Sequence, residues 1–85
     1  MKPVVVYTSP SCPYCVRAKE LLRRRGIPFE EILLDWDDEI GWQEAQKRSG
    51  MKTVPQIFID GACVGGFTEL DALDRAGKLK EMAGG

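Results

Sequence analysis

Five β-branched and aromatic residues in a row, Val4-Val5-Val6-Tyr7-Thr8, constrain this chain more than any other stretch. A strand with one face in water alternates apolar and polar residues. A run without alternation reads as a strand covered on both faces, and so as a central strand of its sheet. The residues after it narrow the choice. Pro13 suits the first turn of a helix, and Gly26 suits the position just past its end, so the spacing predicts a helix from Pro13 to Arg25. Arg23, Arg24 and Arg25 fall in its last turn, where cations oppose the negative end of the helix dipole. Ile27-Pro28 breaks the chain, and Phe29 to Leu34 reads as a second strand. Strand, helix and strand in so few residues imply a right-handed βαβ unit with parallel strands.

The remainder completes a mixed sheet. Asp35 to Glu39 reads as an exposed acidic loop that caps a helix over Ile40 to Ser49, closed by Gly50 and weakened by Gly41. Gln56 to Ile59 is a third strand. Asp60-Gly61 is a hairpin turn, and Ala62 to Val64 a fourth strand, antiparallel to the third. A last helix is expected from Thr68 to Ala76, with Thr68 as its cap and Asp71 three residues on as the partner acid. Lys78 to Met82 adds a short turn, and Gly84-Gly85 should fray. The order β-α-β-α-β-β-α describes an α/β fold, a four-stranded mixed sheet with three helices on its faces. No repeat or linker interrupts it, and residues 1–85 fit one small domain.

Composition removes several functions. A net charge of −1 gives no general attraction to nucleic acid or to anionic membranes. No segment approaches the ~20 apolar residues that span a bilayer, and the apolar run Val4 to Tyr7 is too short for the core of a signal peptide. A reducing, cytoplasmic setting is expected. The cysteines agree, because 3 is an odd number and too few for a secreted disulfide scaffold.

Two of them, Cys12 and Cys15, flank Pro13 and Tyr14. A structural bridge between them would close a tiny loop and stabilise little. Zinc usually takes four N or S ligands, and this chain has 3 cysteines and 0 histidines. A cluster shared between two copies and two inert packed cysteines remain as alternatives. Position favours a reactive dithiol. Cys12 falls at the N-cap, facing the unpaired N–H groups and the positive end of the helix dipole, which favour thiolate, the species that attacks disulfides. Cys15 lies three residues on, in line with Ala18 and Leu22 on the inward face, as a shielded resolving thiol. A CxxC opening the helix of a βαβ unit is the thioredoxin-like signature.

With these residues in place, the chain resembles the small bacterial dithiol glutaredoxins. Cys12-Pro13-Tyr14-Cys15 matches the family's CPYC, Thr53-Val54-Pro55-Gln56-Ile57-Phe58-Ile59 its TVPQIFI segment, and Gly65-Gly66 with Glu69-Leu70 its approach to the last helix. The resemblance implies a thioredoxin-like fold and a cis Val54-Pro55 bond that turns the Val54 backbone toward Cys12. There, glutathione would pair as an added strand does. It implies a glutathione site of Tyr14, Thr53, Val54, Pro55, Gly66, Phe67, Thr68 and Glu69. Gly66 permits close approach, the N–H groups near Phe67 and Thr68 take a carboxylate, and Glu69 takes the ammonium. Pro13, Tyr14 and Pro55 support the active site.

The implied activity is glutathione-dependent reduction of protein disulfides and glutathione mixed disulfides. Glutathione is the reducing co-substrate, no metal is expected, and the protein would act as a monomer. Two departures weaken the match. Ser9 stands where many relatives carry lysine, and Trp42 falls near a position that is basic or polar in them; Lys52 is a candidate substitute. They keep open an electron donor to ribonucleotide reductase that thioredoxin reductase recharges. A different alternative is an iron–sulfur carrier, against which the rigid Pro13 speaks. Cys63 reads as a small packed hydrophobe. Trp36 and Trp42 have no assignment from sequence.

Overall fold

A computed structural model describes residues 2–84. β1 (Val4–Thr8) leads to α1 (Pro13–Arg24), β2 (Glu30–Leu33) and α2 (Glu39–Ser49). Then come β3 (Gln56–Ile59), β4 (Ala62–Gly65), α3 (Phe67–Arg75) and α4 (Leu79–Gly84). The sheet runs β2-β1-β3-β4. β1 pairs parallel with β2 and antiparallel with β3, and β3 pairs antiparallel with β4. The unalternating strand β1 is therefore internal, as its composition requires, and β3, buried at all four positions, is its equal.

The two faces of the sheet differ. Val4, Val6, Ile57 and Ile59 meet Ala18, Leu21 and Leu22 of α1, Leu70 of α3 and Leu79 and Ala83 of α4 in the larger cluster. The i, i+3, i+7 spacing of Cys15, Ala18 and Leu22 sets α1 on this face, and the three are 2%, 0% and 0% exposed. The other face carries a smaller cluster of Tyr7, Leu34, Ala45 and Phe58, with Trp42, Val54 and Cys63 packed at its margin. Ala45 is the only buried residue that α2 contributes, which makes α2 the lightly held helix.

Local chemistry accounts for most boundaries. Asp38 caps α2 by accepting the Gly41 N–H at 2.9 Å, and Gly50 ends it in the left-handed conformation at φ 73°. Asp60 and Gly61 both have positive φ, 54° and 83°, as a tight hairpin turn demands. The last helix departs from expectation. It begins at Phe67, so Thr68 lies inside its first turn and does not cap it. Glu69 reaches back instead and accepts the Gly66 N–H at 2.7 Å, while Asp71 pairs with Arg75 at 3.0 Å. Half a capping box suffices because an N-cap glycine has no side chain to give the other half. The turn expected over Lys78 to Met82 is a fourth, short helix, held in part by the Lys2 N–H on the Ala83 carbonyl at 2.9 Å. Of the Gly84-Gly85 pair, Gly84 closes that helix and Gly85 lies outside the described residues.

Candidate active site

β1 ends at Thr8, and the chain must turn from the carboxyl end of the strand into α1. Ser11 makes the turn at φ 57°, a region non-glycine residues seldom occupy. That places Cys12 at the N-cap of α1 with extended backbone and Pro13 at the first helical position. Cys12 is half-buried. Its Sγ accepts the Cys15 N–H at 3.3 Å, so one otherwise unpaired N–H of the first turn points at this sulfur. The thiol hydrogen of Cys12 faces the Val54 carbonyl, with Sγ 3.9 Å from the oxygen. The Val54-Pro55 bond is cis, in keeping with the resemblance.

Cys15 occupies a different environment. It is 2% exposed on the inward face of α1. Burial pushes its thiol up from an ordinary 9.0 to about 12. The hydrogen bond with Cys12 and the charge on that sulfur add to the rise, while a backbone hydrogen bond at Ser9 and the Lys19 ammonium oppose it. Lys19, one turn further along α1, is itself anchored. Its Nζ donates to Glu31 of β2 at 2.9 Å, and the Thr8 hydroxyl donates to the same carboxylate oxygen at 2.7 Å. These two bonds hold the Glu31 carboxyl below its usual range.

The residues expected around glutathione come together. Tyr14, Thr53, Val54, Pro55, Gly66, Phe67, Thr68 and Glu69 line one small cleft of about 200 Å³, with Met51. Tyr14 is exposed and tilts against Phe67 at 6.1 Å between ring centroids, and the Arg17 guanidinium lies 5.3 Å from the Tyr14 ring. Phe67 and Thr68 stand in the first turn of α3, where no carbonyl of the helix reaches their N–H groups. Gly65 has φ 117°, and a Cβ there would fall 2.6 Å from Glu69 Oε1. The Glu69 carboxylate keeps its hydrogen bond to Gly66 and so faces the cleft with one oxygen already engaged.

Sequence reasoning gave no role to Gln56 or Ser49 and left Trp36 and Trp42 unassigned. Gln56, 0% exposed, donates through Nε2 to the Met51 carbonyl at 3.2 Å and the Thr53 carbonyl at 3.0 Å, fixing the segment that carries Val54 and Pro55. A glutamine inside an otherwise apolar, wholly buried strand was the available signal. The Ser49 hydroxyl steadies the same segment by accepting the Met51 N–H at 2.9 Å. Trp36 and Trp42, 5.6 Å apart and stacked within 13°, wall a second groove that Cys12 also lines. Ser9 and Trp42, the two positions that depart from the resemblance, line this groove together with Lys52, their candidate substitute. Cys63 is packed against the smaller cluster. Among the described residues no group of three or more His, Cys, Asp or Glu side chains is placed to hold a metal ion, and no helix is long and apolar enough to cross a membrane.

A CxxC pair at the mouth of a βαβ helix, faced by a cis-proline segment across a mixed four-stranded sheet, defines a thioredoxin-like dithiol protein. Comparison narrows the class. The glutaredoxin family model matches residues 4–64. A glutaredoxin of Pseudomonas aeruginosa is 53% identical over 82 residues, covering 96% of both chains. Glutaredoxin 3 of Escherichia coli is 48% identical over 82 residues, 96% of this chain and 98% of that one. The solution structure of a glutaredoxin from Brucella melitensis superposes with a TM-score of 0.83 at 48% identity, covering 98% of this chain and 89% of its own. A buckwheat glutaredoxin solved as a complex with glutathione superposes at 0.88 and 30% identity, over 98% of this chain and 77% of that one. The chain belongs to the glutaredoxin family, whose members are thiol–disulfide oxidoreductases.

Proposed function

We propose that this protein reduces glutathione mixed disulfides and protein disulfides, with Cys12 as the attacking sulfur, Cys15 as the resolving thiol and glutathione as reductant. The observation that carries the reading is the position of Cys12 Sγ, which accepts the Cys15 N–H at the start of α1 and lies opposite the Val54 carbonyl, on the groove that adjoins the cleft at Thr53 and Val54. The glutathione complex of the buckwheat relative supports the choice of reductant.

With a glutathionylated protein, the Cys12 thiolate attacks the glutathione sulfur. The Cys12–glutathione disulfide forms, the substrate S–S bond breaks, and the substrate sulfur leaves with the electron pair and takes a proton. A second glutathione thiolate then attacks the bound glutathione sulfur, releasing glutathione disulfide and restoring Cys12. With a protein disulfide, Cys12 forms the mixed disulfide. Cys15 loses its proton and attacks the Cys12 sulfur, expelling the product thiol and leaving Cys12–Cys15 oxidised. Two glutathione molecules return the two electrons. Holding Cys15 protonated delays resolution, which gives the glutathione-only route time to compete.

The cleft of Tyr14, Val54, Pro55 and Glu69 takes glutathione, with the Val54 backbone pairing its cysteine and the opening of α3 its γ-glutamyl carboxylate. The test is a pair of variants. Cys12→Ser should abolish both activities, because it removes the attacking sulfur and Cys15, buried and with its thiol pushed up to about 12, is not poised to replace it. Cys15→Ser should lose protein-disulfide reduction and keep deglutathionylation. Retained turnover in Cys12→Ser would end this assignment. Ser9 and Trp42 support a second reading, recharging by thioredoxin reductase, because the groove they line offers Lys52 as its single cation for the glycine carboxylate of glutathione. Following reoxidation with glutathione or with thioredoxin reductase as sole reductant separates the two.

A further inference from the structure

Resolution asks the most of Cys15. Burial pushes its thiol up to about 12, yet it must reach the thiolate form before it can attack Cys12. The charges that act on this sulfur are those of Cys12 and Lys19, both on the α1 side. β1 adds the Ser9 N–H, and β2 supplies Glu31, which meets Lys19. Lys19 lies four residues after Cys15, on the same stripe of the helix, where side chains are neighbours. Both line one hollow of about 460 Å³, together with Cys12 and Glu31. A lysine at such a place readily swings into solvent on its flexible stem. This one is held. Its side chain is 19% exposed, its Nζ donates to Glu31 Oε2 at 2.9 Å, and the buried Thr8 hydroxyl donates to the same oxygen at 2.7 Å. Glu31 is not among the charges that act on Cys15, so the pair presents its positive end to the sulfur.

A lysine–glutamate pair near the surface adds little to stability. Its use here is to keep a cation in place beside a buried thiol. We propose that Lys19, tethered by Glu31 and Thr8, is a positioning residue for resolution: it stabilises the Cys15 thiolate, and so sets how often Cys15, instead of a second glutathione, resolves the mixed disulfide. The inference rests on the reading of Cys12 as the attacking sulfur and Cys15 as the resolving thiol. In the step itself, the Cys15 proton leaves to solvent and the thiolate attacks Cys12 Sγ. The bond from Cys12 to the substrate sulfur breaks, and that sulfur departs with the electron pair and takes up a proton. Cys12 and Cys15 end oxidised and the substrate reduced. Lys19 keeps its proton throughout. Glu31 is not the base, because its bonds from Lys19 and Thr8 hold its carboxyl below the usual range and make it a poor acceptor.

The experiment mixes reduced Cys63→Ala protein with an equimolar amount of dithiobis-nitrobenzoate, a disulfide that releases coloured nitrothiobenzoate. The first release reports attack by Cys12, and the second reports resolution by Cys15. From about pH 6 to about pH 9 the second rate should climb about tenfold per pH unit, following the thiolate fraction. Lys19→Met keeps the stem and removes the charge. It should slow the second release about fourfold at a given pH, the net of an about tenfold smaller thiolate fraction and the greater nucleophilicity of a more basic sulfur. The first release should change less. Lys19→Arg, which restores the charge, should recover most of the rate. An unchanged second release in Lys19→Met, an equal slowing of both releases, or no recovery in Lys19→Arg would overturn this inference alone. A parent protein with no first release, or a Cys12→Ser variant that keeps it at the parent rate, would overturn the functional reading beneath it.

Discussion

The two sides of Cys12 are made of different material. Toward α3, the cleft rests on residues that expose backbone, Val54, cis Pro55, Gly66 and the opening turn of the helix, with the Tyr14 and Phe67 rings at its side. Toward α2, the groove is walled by side chains, the stacked Trp36 and Trp42 with Glu39 and Lys52. A backbone wall recognises what every peptide shares, and its geometry has to be held from beneath. A side-chain wall discriminates, and its residues can change without disturbing the fold. Support follows the same division. Gln56 and Ser49 brace the cis-proline segment, and Glu69 braces Gly66, whereas α2 buries Ala45 alone.

Substitutions can break this contrast. The largest effect is expected at Gly65. Alanine there meets both a φ of 117° and a Cβ within 2.6–2.9 Å of Glu69 atoms, so Glu69 must leave Gly66. Gly65→Ala should cost about 1–3 kcal/mol in denaturant unfolding and raise the KM for glutathione severalfold. Next comes Gln56→Leu, which strips the donors from the Met51 and Thr53 carbonyls. The loss should be near the lower end of about 1–3 kcal/mol, because Gln56 Oε1 is buried without a partner among the described residues and leucine removes that cost. Its signature is again a raised KM for glutathione. The smallest effect is expected for Trp36→Ala, whose stability should stay within about 0.5 kcal/mol of the parent. A Trp36→Ala loss as large as that of Gly65→Ala would show that the side-chain wall also carries the fold.

The same division decides what was legible in the sequence. Backbone-built features come with residue types that have no other use: the proline at the start of α1, the glycines at 50, 61 and 65, and the proline after Val54. Strand β3 and the course of α1 followed from such signals and from the unbroken apolar runs. The start of α3 did not, because Thr68 is the better cap by type while the cap actually used is a glutamate reaching back to a glycine. Contacts between distant positions left no local trace. Glu31 meets Lys19 from 12 residues away and Thr8 from 23, and the stacking of Trp36 on Trp42 depends on how the acidic turn settles onto α2. Gln56 was visible as an oddity in a buried strand, but its partners lie in a segment with no regular structure.

The division of labour in the proposed reaction depends on a contrast between the two sulfurs themselves. Since the folded protein holds the Cys15 proton above the ordinary 9.0, folding gains from this group below about pH 9 and loses that gain as pH rises toward about 12. The direct measurement is site-resolved alkylation of reduced Cys63→Ala protein by iodoacetamide from about pH 6 to about pH 10, read by mass spectrometry. Cys12 should carry the label at about pH 7 while Cys15 stays free. Labelling of Cys15 should climb about tenfold per pH unit without levelling off, as a thiol pushed up to about 12 requires. Labelling of Cys15 as fast as Cys12 at neutral pH, or a plateau near pH 9, would contradict the assignment of one sulfur to attack and the other to resolution.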